Sequence, residues 1–205
     1  MEKARLIAKL KREGVLKSPE IIKAFEKVPR ERFVPAKYKG LAYEDIPLPI
    51  GYGQTISQPT TIAIMLEALK VRKRDKVLDV GSGLGYLAAL LAEIAKEGKV
   101  VSIEIIPELW KRAKENLRNY KNVKCILGDG SKGYEKEAPY DRIVVSAAAR
   151  KIPKALIEQL KVKGRMVIPV GNLECQRMYL VEKLGKSRIR KSSLGYFVFV
   201  PLIEK

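Results

Sequence analysis

No histidine occurs among the 205 residues. That absence removes the side chain that titrates nearest neutral pH and the commonest metal ligand. Histidine-based triads and histidine-ligated zinc hydrolases are excluded, so chemistry without a metal becomes the expectation. Cysteine is scarce, with only Cys125 and Cys175. Two thiols cannot build a disulfide scaffold, and free thiols suit a reducing compartment. Both read as small apolar packing residues. No apolar run reaches the roughly 18 to 20 residues that a membrane-spanning helix needs. No apolar signal core stands behind the charged opening Glu2-Lys3-Ala4-Arg5. A cytoplasmic protein without a membrane partner is therefore expected.

What is abundant is positive charge. Lysine and arginine number 41 against 23 acidic residues, a net charge of +18. Such a field attracts nucleic acid or acidic substrates. The basic residues are spread along the chain, however, which equally fits the lysine-rich, ion-paired surface of a heat-adapted protein. No specific nucleic-acid partner is expected. With 46% hydrophobic and 31% charged residues, the chain reads as one globular domain over 1–205, and as a monomer. Within it, 1–70 would hold N-terminal helices and a substrate or cover loop, and 71–205 the core.

Leu6, Ile7 and Leu10 fall at helical spacing within 2–13. Ser18-Pro19-Glu20 looks like a helix start, running to about Lys27. Residues 40–60 hold three prolines and three glycines. They read as a long irregular segment, of the kind that tends to be functional in compact domains. A helix from about Gln58 to Leu69 follows. Strands are then expected at Val77–Val80, Lys99–Ile103, Val123–Leu127, Arg142–Val145, Arg165–Val170, Met178–Glu182 and Tyr196–Leu202. Helices fall at 85–95, from Pro107 to about Leu117, and from Pro153 to near Gly164. This alternation implies an α/β fold, a doubly wound Rossmann-like sheet, mostly parallel. The last two strands have no helix between them, so an antiparallel C-terminal edge is expected.

Ligands of such sheets sit beyond the carboxyl ends of the strands. The first core strand ends in Asp79-Val80-Gly81-Ser82-Gly83-Leu84-Gly85-Tyr86. Its spacing is G-x-G-x-G, not the G-x-G-x-x-G that seats a pyrophosphate on a helix N-terminus. S-adenosylmethionine carries no phosphate, and close backbone approach to a methionyl group suits this loop. Glu104 ends the second strand, where a carboxylate can accept from both ribose hydroxyls. Asp129 and Gly130 end the third, placed for the adenine amino group. Asp79 either orients the cofactor's amino group or pins the loop. One acid at each of three successive strand ends is more specific than any single part.

The fourth strand ends in Ser146-Ala147-Ala148-Ala149. Amino-group methyltransferases end it in a polar-Pro-Pro-aromatic motif, and nothing here would orient a base amine. Neither cysteine lies in a Pro-Cys loop. An RNA methyltransferase is the alternative that the charge keeps open. A non-enzymatic RNA-binding protein is a third, although no aromatic stacking platform is visible.

Gly51-Tyr52-Gly53-Gln54-Thr55-Ile56-Ser57-Gln58-Pro59 closely resembles the signature of protein-L-isoaspartate O-methyltransferases. The resemblance continues through Val77–Tyr86, Gly128-Asp129-Gly130, Ala138–Ile143, Ile168–Gly171 and Phe199–Leu202, nearly the whole chain. It implies an S-adenosylmethionine-dependent enzyme, yielding S-adenosylhomocysteine and needing no metal. Its partners would be isoaspartyl-containing peptides and proteins, methylated on the free α-carboxylate. The ester then closes to a succinimide that hydrolyses partly to normal aspartate, a protein repair. The family's active-site serine falls on Ser57. Cofactor-binding positions implied by loop and resemblance together are Thr55, Ile56, Asp79, Gly81, Ser82, Gly83, Gly85, Tyr86, Glu104, Asp129 and Gly130. Asp79 stands where the family often has Glu, Ile105 where it often has Arg, and Ser146 where it often has Thr.

The chemistry suits these residues. A carboxylate that titrates at about 3.3 to 3.9 in free peptides is already ionised at neutral pH and needs no general base. What remains is positioning, which can supply on the order of 7 to 11 kcal/mol. Ser57 would steer the carboxylate by a hydrogen bond; a plain helix cap before Gln58-Pro59 is its bland alternative. Gly51, Gly53 and Ile56 suit a cover over the site. Ile56 and Ser57, with backbone groups of Val198 and Val200, are expected to hold a substrate strand.

Overall fold

The computed structural model describes residues 2–172, 174–186 and 188–204. The chain opens with α1 (Glu2–Arg12) and α2 (Pro19–Lys27). Leu6, Ile7 and Leu10 are the buried face of α1, as the spacing predicts. Proline occupies the first turn of α2, where its missing N–H costs nothing.

Residues 40–60 are less irregular than their prolines and glycines imply. They contain a two-stranded antiparallel hairpin, β1 (Leu48–Gly51) and β2 (Gln54–Ile56), with Leu48 opposite Ile56. Tyr52 and Gly53 form the turn with φ of 56° and 70°. A positive φ at both turn residues is what a tight hairpin twist demands. α3 (Pro59–Leu69) follows directly.

Among the described residues, seven strands form one sheet. They are β3 (Lys76–Val80), β4 (Lys99–Glu104), β5 (Val123–Leu127), β6 (Tyr140–Val145), β7 (Leu160–Gly171), β8 (Gln176–Lys183) and β9 (Ile189–Phe197). Their spatial order is β5-β4-β3-β6-β7-β8-β9. β3, β4, β5, β6 and β7 are parallel, while β8 and β9 add on antiparallel. The connecting helices are α4 (Tyr86–Ile94), α5 (Pro107–Asn116) and α6 (Lys154–Gln159). The α/β fold and its antiparallel edge are those expected from the pattern.

Alternate residues of the central strands feed opposite cores. Val77, Val100 and Val144 pack with the N-terminal helices and α4, whereas Leu78, Val101 and Ile143 pack with Leu156 of α6. The order reverses at β3, whose neighbours are β4 on one side and β6 on the other. That switch point leaves a crevice at the carboxyl ends of β3, β4 and β6.

The largest departures from the expected boundaries are at α6 and the last strand. α6 stops at Gln159, not near Gly164, because β7 begins at Leu160. An added Cβ at Gly164 would lie 3.0 Å from the carbonyl oxygen of Asp141, so the chain is held against the neighbouring strand there. The last strand is Ile189–Phe197 rather than Tyr196–Leu202. The apolar residues after it instead reach across the sheet end, where Ala148 donates to Val200 O at 2.7 Å and Leu202 donates to Ala148 O at 2.8 Å. No helix is long and apolar enough, among the described residues, to cross a membrane.

Candidate functional site

The glycine loop after β3 is tied to its neighbour strand. Gly81 and Ser82 both donate backbone N–H bonds to Ile103 O, at 2.9 and 3.0 Å. Gly83 takes φ +55°, and a Cβ there would meet Ile50 Cδ1 at 2.9 Å. Glycine meets both demands, left-handed backbone and close approach of the hairpin, at the least cost. Gly85 turns the chain into α4, and its position is crowded by Leu117.

Glu104 closes β4 and is 6% exposed. Gly83 donates to its Oε2 at 2.8 Å, and Ile105 and Ile106 donate to Oε1 at 2.9 and 3.0 Å. Burial pushes this carboxyl above the ordinary range, opposed by those three N–H donors. The donors fix its two oxygens without exhausting their lone pairs.

Asp79 is wholly buried. Ser102 donates to its Oδ2 at 2.7 Å, and the Ser102 and Ser82 hydroxyls are themselves hydrogen-bonded. Its Oδ1 has no partner among the described residues. Burial pushes Asp79 up to about 7, with Glu104 adding to the rise. The Asp79–Ser102–Ser82 chain thus connects a buried acid to the glycine loop.

These parts line a cavity of about 810 Å³, its open mouth included. Of the positions expected to hold the cofactor, Thr55, Ile56, Gly81, Ser82, Gly83, Tyr86, Glu104 and Gly130 are on its wall. Asp79, Gly85 and Asp129 are not. Asp79 faces the packed layer of α4 and reaches the cavity only through the two serines. Gly85 is the N-cap of α4, behind the loop. Asp129 turns back, accepting from Ser131 N and Oγ at 2.9 and 2.6 Å, so the cavity meets Gly128 and Gly130 instead. Ile105 lines the cavity next to Glu104.

A second cleft, about 990 Å³ with its mouth, runs beside the first between the start of α3 and residues 196–200. Ser57 borders both spaces, as do Thr55, Ser146 and Val200. Ile56 borders only the inner cavity, and Val198 only the outer cleft. Val198 is 74% exposed, and its backbone N–H and carbonyl have no partner among the described residues. The carbonyl of Val200 is taken by Ala148. Ser57 does not cap α3: the N-cap is Gln58, without a side-chain cap bond. Its hydroxyl has no hydrogen-bond partner among the described residues.

The family model for protein-L-isoaspartate(D-aspartate) O-methyltransferase matches residues 1–205. The chain belongs to this family. It is 56% identical over 204 residues to protein-L-isoaspartate O-methyltransferase 2 of Archaeoglobus fulgidus, covering 98% of this chain and 93% of that one. A relative from Ignicoccus hospitalis, named protein-L-isoaspartate O-methyltransferase, is 51% identical over 208 residues, covering 100% and 98%. Among solved structures, a Plasmodium falciparum chain described as a protein-L-isoaspartate O-methyltransferase in complex with S-adenosyl-L-homocysteine aligns at TM-score 0.88. Its identity is 27%, with 100% and 99% of the two chains covered.

The methyltransferase site suits an adenosyl donor on chemical grounds. It offers a braced carboxylate at Glu104 and a backbone-lined glycine loop. Ser146 and Ser102 escaped the sequence reading as functional positions. Ser102 carried a signal: a serine inside the apolar run Val100-Val101-Ser102-Ile103 of a buried strand needs a polar partner.

Proposed function

We propose that this enzyme transfers a methyl group from S-adenosylmethionine to the free α-carboxylate of L-isoaspartyl residues in peptides and proteins. The observation that carries this reading is Ser57, unpaired among the described residues and placed where the inner cavity opens into the outer cleft. When bound, S-adenosylmethionine supplies a methyl group activated by its sulfonium charge, so an ionised carboxylate oxygen can take it without any proton moving.

The chain's own groups do the rest. Glu104, held by three backbone donors, accepts from ribose hydroxyls. Ser82, fixed from behind by Ser102 and Asp79, orients the polar end of the methionyl group. The apolar wall, with Ile50, Ile56, Ile103 and Ile105, sheds water from the nucleophile, which hydration would shield. Ser57 donates to one carboxylate oxygen and leaves the other free. The unpaired backbone of Val198 takes an extended substrate by strand addition. An isoaspartyl residue brings its free carboxylate on a short main-chain branch, whereas an ordinary aspartate brings it on a side chain.

The test is incubation with methyl-labelled donor and either an isoaspartyl peptide or bulk RNA. Base-labile label on the peptide alone supports the reading. Label on RNA with none on the peptide would favour the RNA methyltransferase reading, for which the net charge of +18 is the motive.

A further inference from the structure

Ser146 follows the last residue of β6, on a different stretch of chain from Ser57, which lies between β2 and α3. Its backbone is fixed, with its N–H donating to Val80 O at 2.8 Å. It abuts the glycine loop: a Cβ on Gly81 would lie 3.7 Å from Ser146 Cβ. That is ordinary van der Waals distance, so the contact with the loop does not by itself call for a hydroxyl at this position. The hydroxyl is what packing leaves unexplained. It is half-buried, it has no hydrogen-bond partner among the described residues, and its residue borders both the cavity and the cleft.

We propose that Ser146 is a second hydroxyl donor to the substrate carboxylate, acting with Ser57 where the cavity meets the cleft. A carboxylate held by one hydroxyl can still swing about that bond. Two donors from separate elements fix its plane and direct one oxygen toward the donor side of the cavity. Neither adds a charge, so the oxygens keep their nucleophilic character. The inference rests on the isoaspartyl carboxylate being the acceptor.

The test compares wild type with Ser146→Ala and Ser146→Thr, each checked by thermal melting. Ser146→Ala is expected to lower kcat by at least about tenfold, the scale of one hydrogen bond to a charged group. It should also weaken binding of an isoaspartyl peptide to the S-adenosylhomocysteine complex, measured by calorimetry, while leaving affinity for S-adenosylhomocysteine itself within about twofold. Ser146→Thr, which keeps the hydroxyl, should recover most of the rate. Unchanged kcat and peptide affinity in Ser146→Ala would overturn the proposal alone. So would a loss confined to cofactor affinity, since Ser146 would then belong to the donor wall. A wild-type enzyme that binds S-adenosylhomocysteine but neither binds nor methylates the peptide would instead overturn the substrate reading, and this inference with it.

Discussion

Gly83 donates its backbone N–H to Glu104 Oε2 at 2.8 Å, so the glycine loop and the Glu104 carboxylate hold each other in place. Neither is a free-standing ligand. A change at one is felt at the other.

Glu104→Ala should therefore harm stability and binding together. It leaves the N–H groups of Gly83, Ile105 and Ile106 without their acceptor. Buried donors left unpaired cost about 1–3 kcal/mol each, less whatever entering water recovers. Thermal melting should fall, and calorimetry should show donor affinity reduced by at least about tenfold, as expected for lost bonds to a charged acceptor. Glu104→Gln, which keeps one acceptor oxygen, should lie between. Wild-type affinity in the alanine variant would remove Glu104 from the site.

Asp79 gives the site a pH dependence. Its folded pKa of about 7 stands above the ordinary 3.8. Between those values the folded protein keeps a proton that the unfolded chain has lost, so the contribution of Asp79 to stability falls as pH rises from about 4 to 7 and is level above. Glu104 and Cys125 are the titratable neighbours that share this field. Carboxyls held low, such as Asp45 and Asp141, act with the opposite sign and cancel in a comparison of variants. In urea denaturation of the cofactor-free protein, the stability of wild type relative to Asp79→Asn should decline across that window. A difference that does not move with pH contradicts the raised value.

The two glycines flanking Asp129 are not equivalent. A Cβ at Gly130 would lie 2.4 Å from Val80 Cγ1, while one at Gly128 meets nothing within 4 Å. Gly130→Ala should cost about 1–3 kcal/mol as an overpacked position, and Gly128→Ala little. Chemical denaturation of the pair measures this directly; equal losses would mean that the contact with Val80 relaxes freely.

Ser57→Ala should slow methyl transfer and spare donor binding. Losing one hydrogen bond to a carboxylate is worth about 1.5–3 kcal/mol, roughly a tenfold to hundredfold loss in rate. Steady-state kinetics beside a donor titration separates the two effects. Intact turnover, or a loss wholly explained by donor affinity, would take Ser57 out of the acceptor site.

The central strands were legible because both faces are buried, so Val77–Val80 and Arg142–Val145 read as near-continuous apolar runs. The final strand was not. Ile189–Phe197 is a sheet edge with exposed Arg190, Lys191, Ser192 and Ser193, and its polarity hid it behind the more apolar residues that follow. The hairpin over the cavity was hidden by Pro47, Pro49, Gly51 and Gly53, which read as punctuation although Gly51 ends a strand and Gly53 serves its tight turn.

The site divides the same way. Sequence spacing located acids at three strand ends, but not which way each side chain turns. Glu104 faces the cavity, Asp129 is drawn back by Ser131, and Asp79 is drawn under the loop by Ser102. Those choices depend on partners supplied by neighbouring elements. In the sequence Ser146 is part of a small, nearly nonpolar strand tip. That it shares the border of both spaces with Ser57 emerges only when β6 and α3 are seen together.

The most direct measurement is kcat/KM for methyl transfer to two peptides of identical sequence, one with an L-isoaspartyl residue and one with normal aspartate at the same position. Turnover of the isoaspartyl peptide is expected, with none detectable for its partner. Equal rates on both would contradict isoaspartyl specificity.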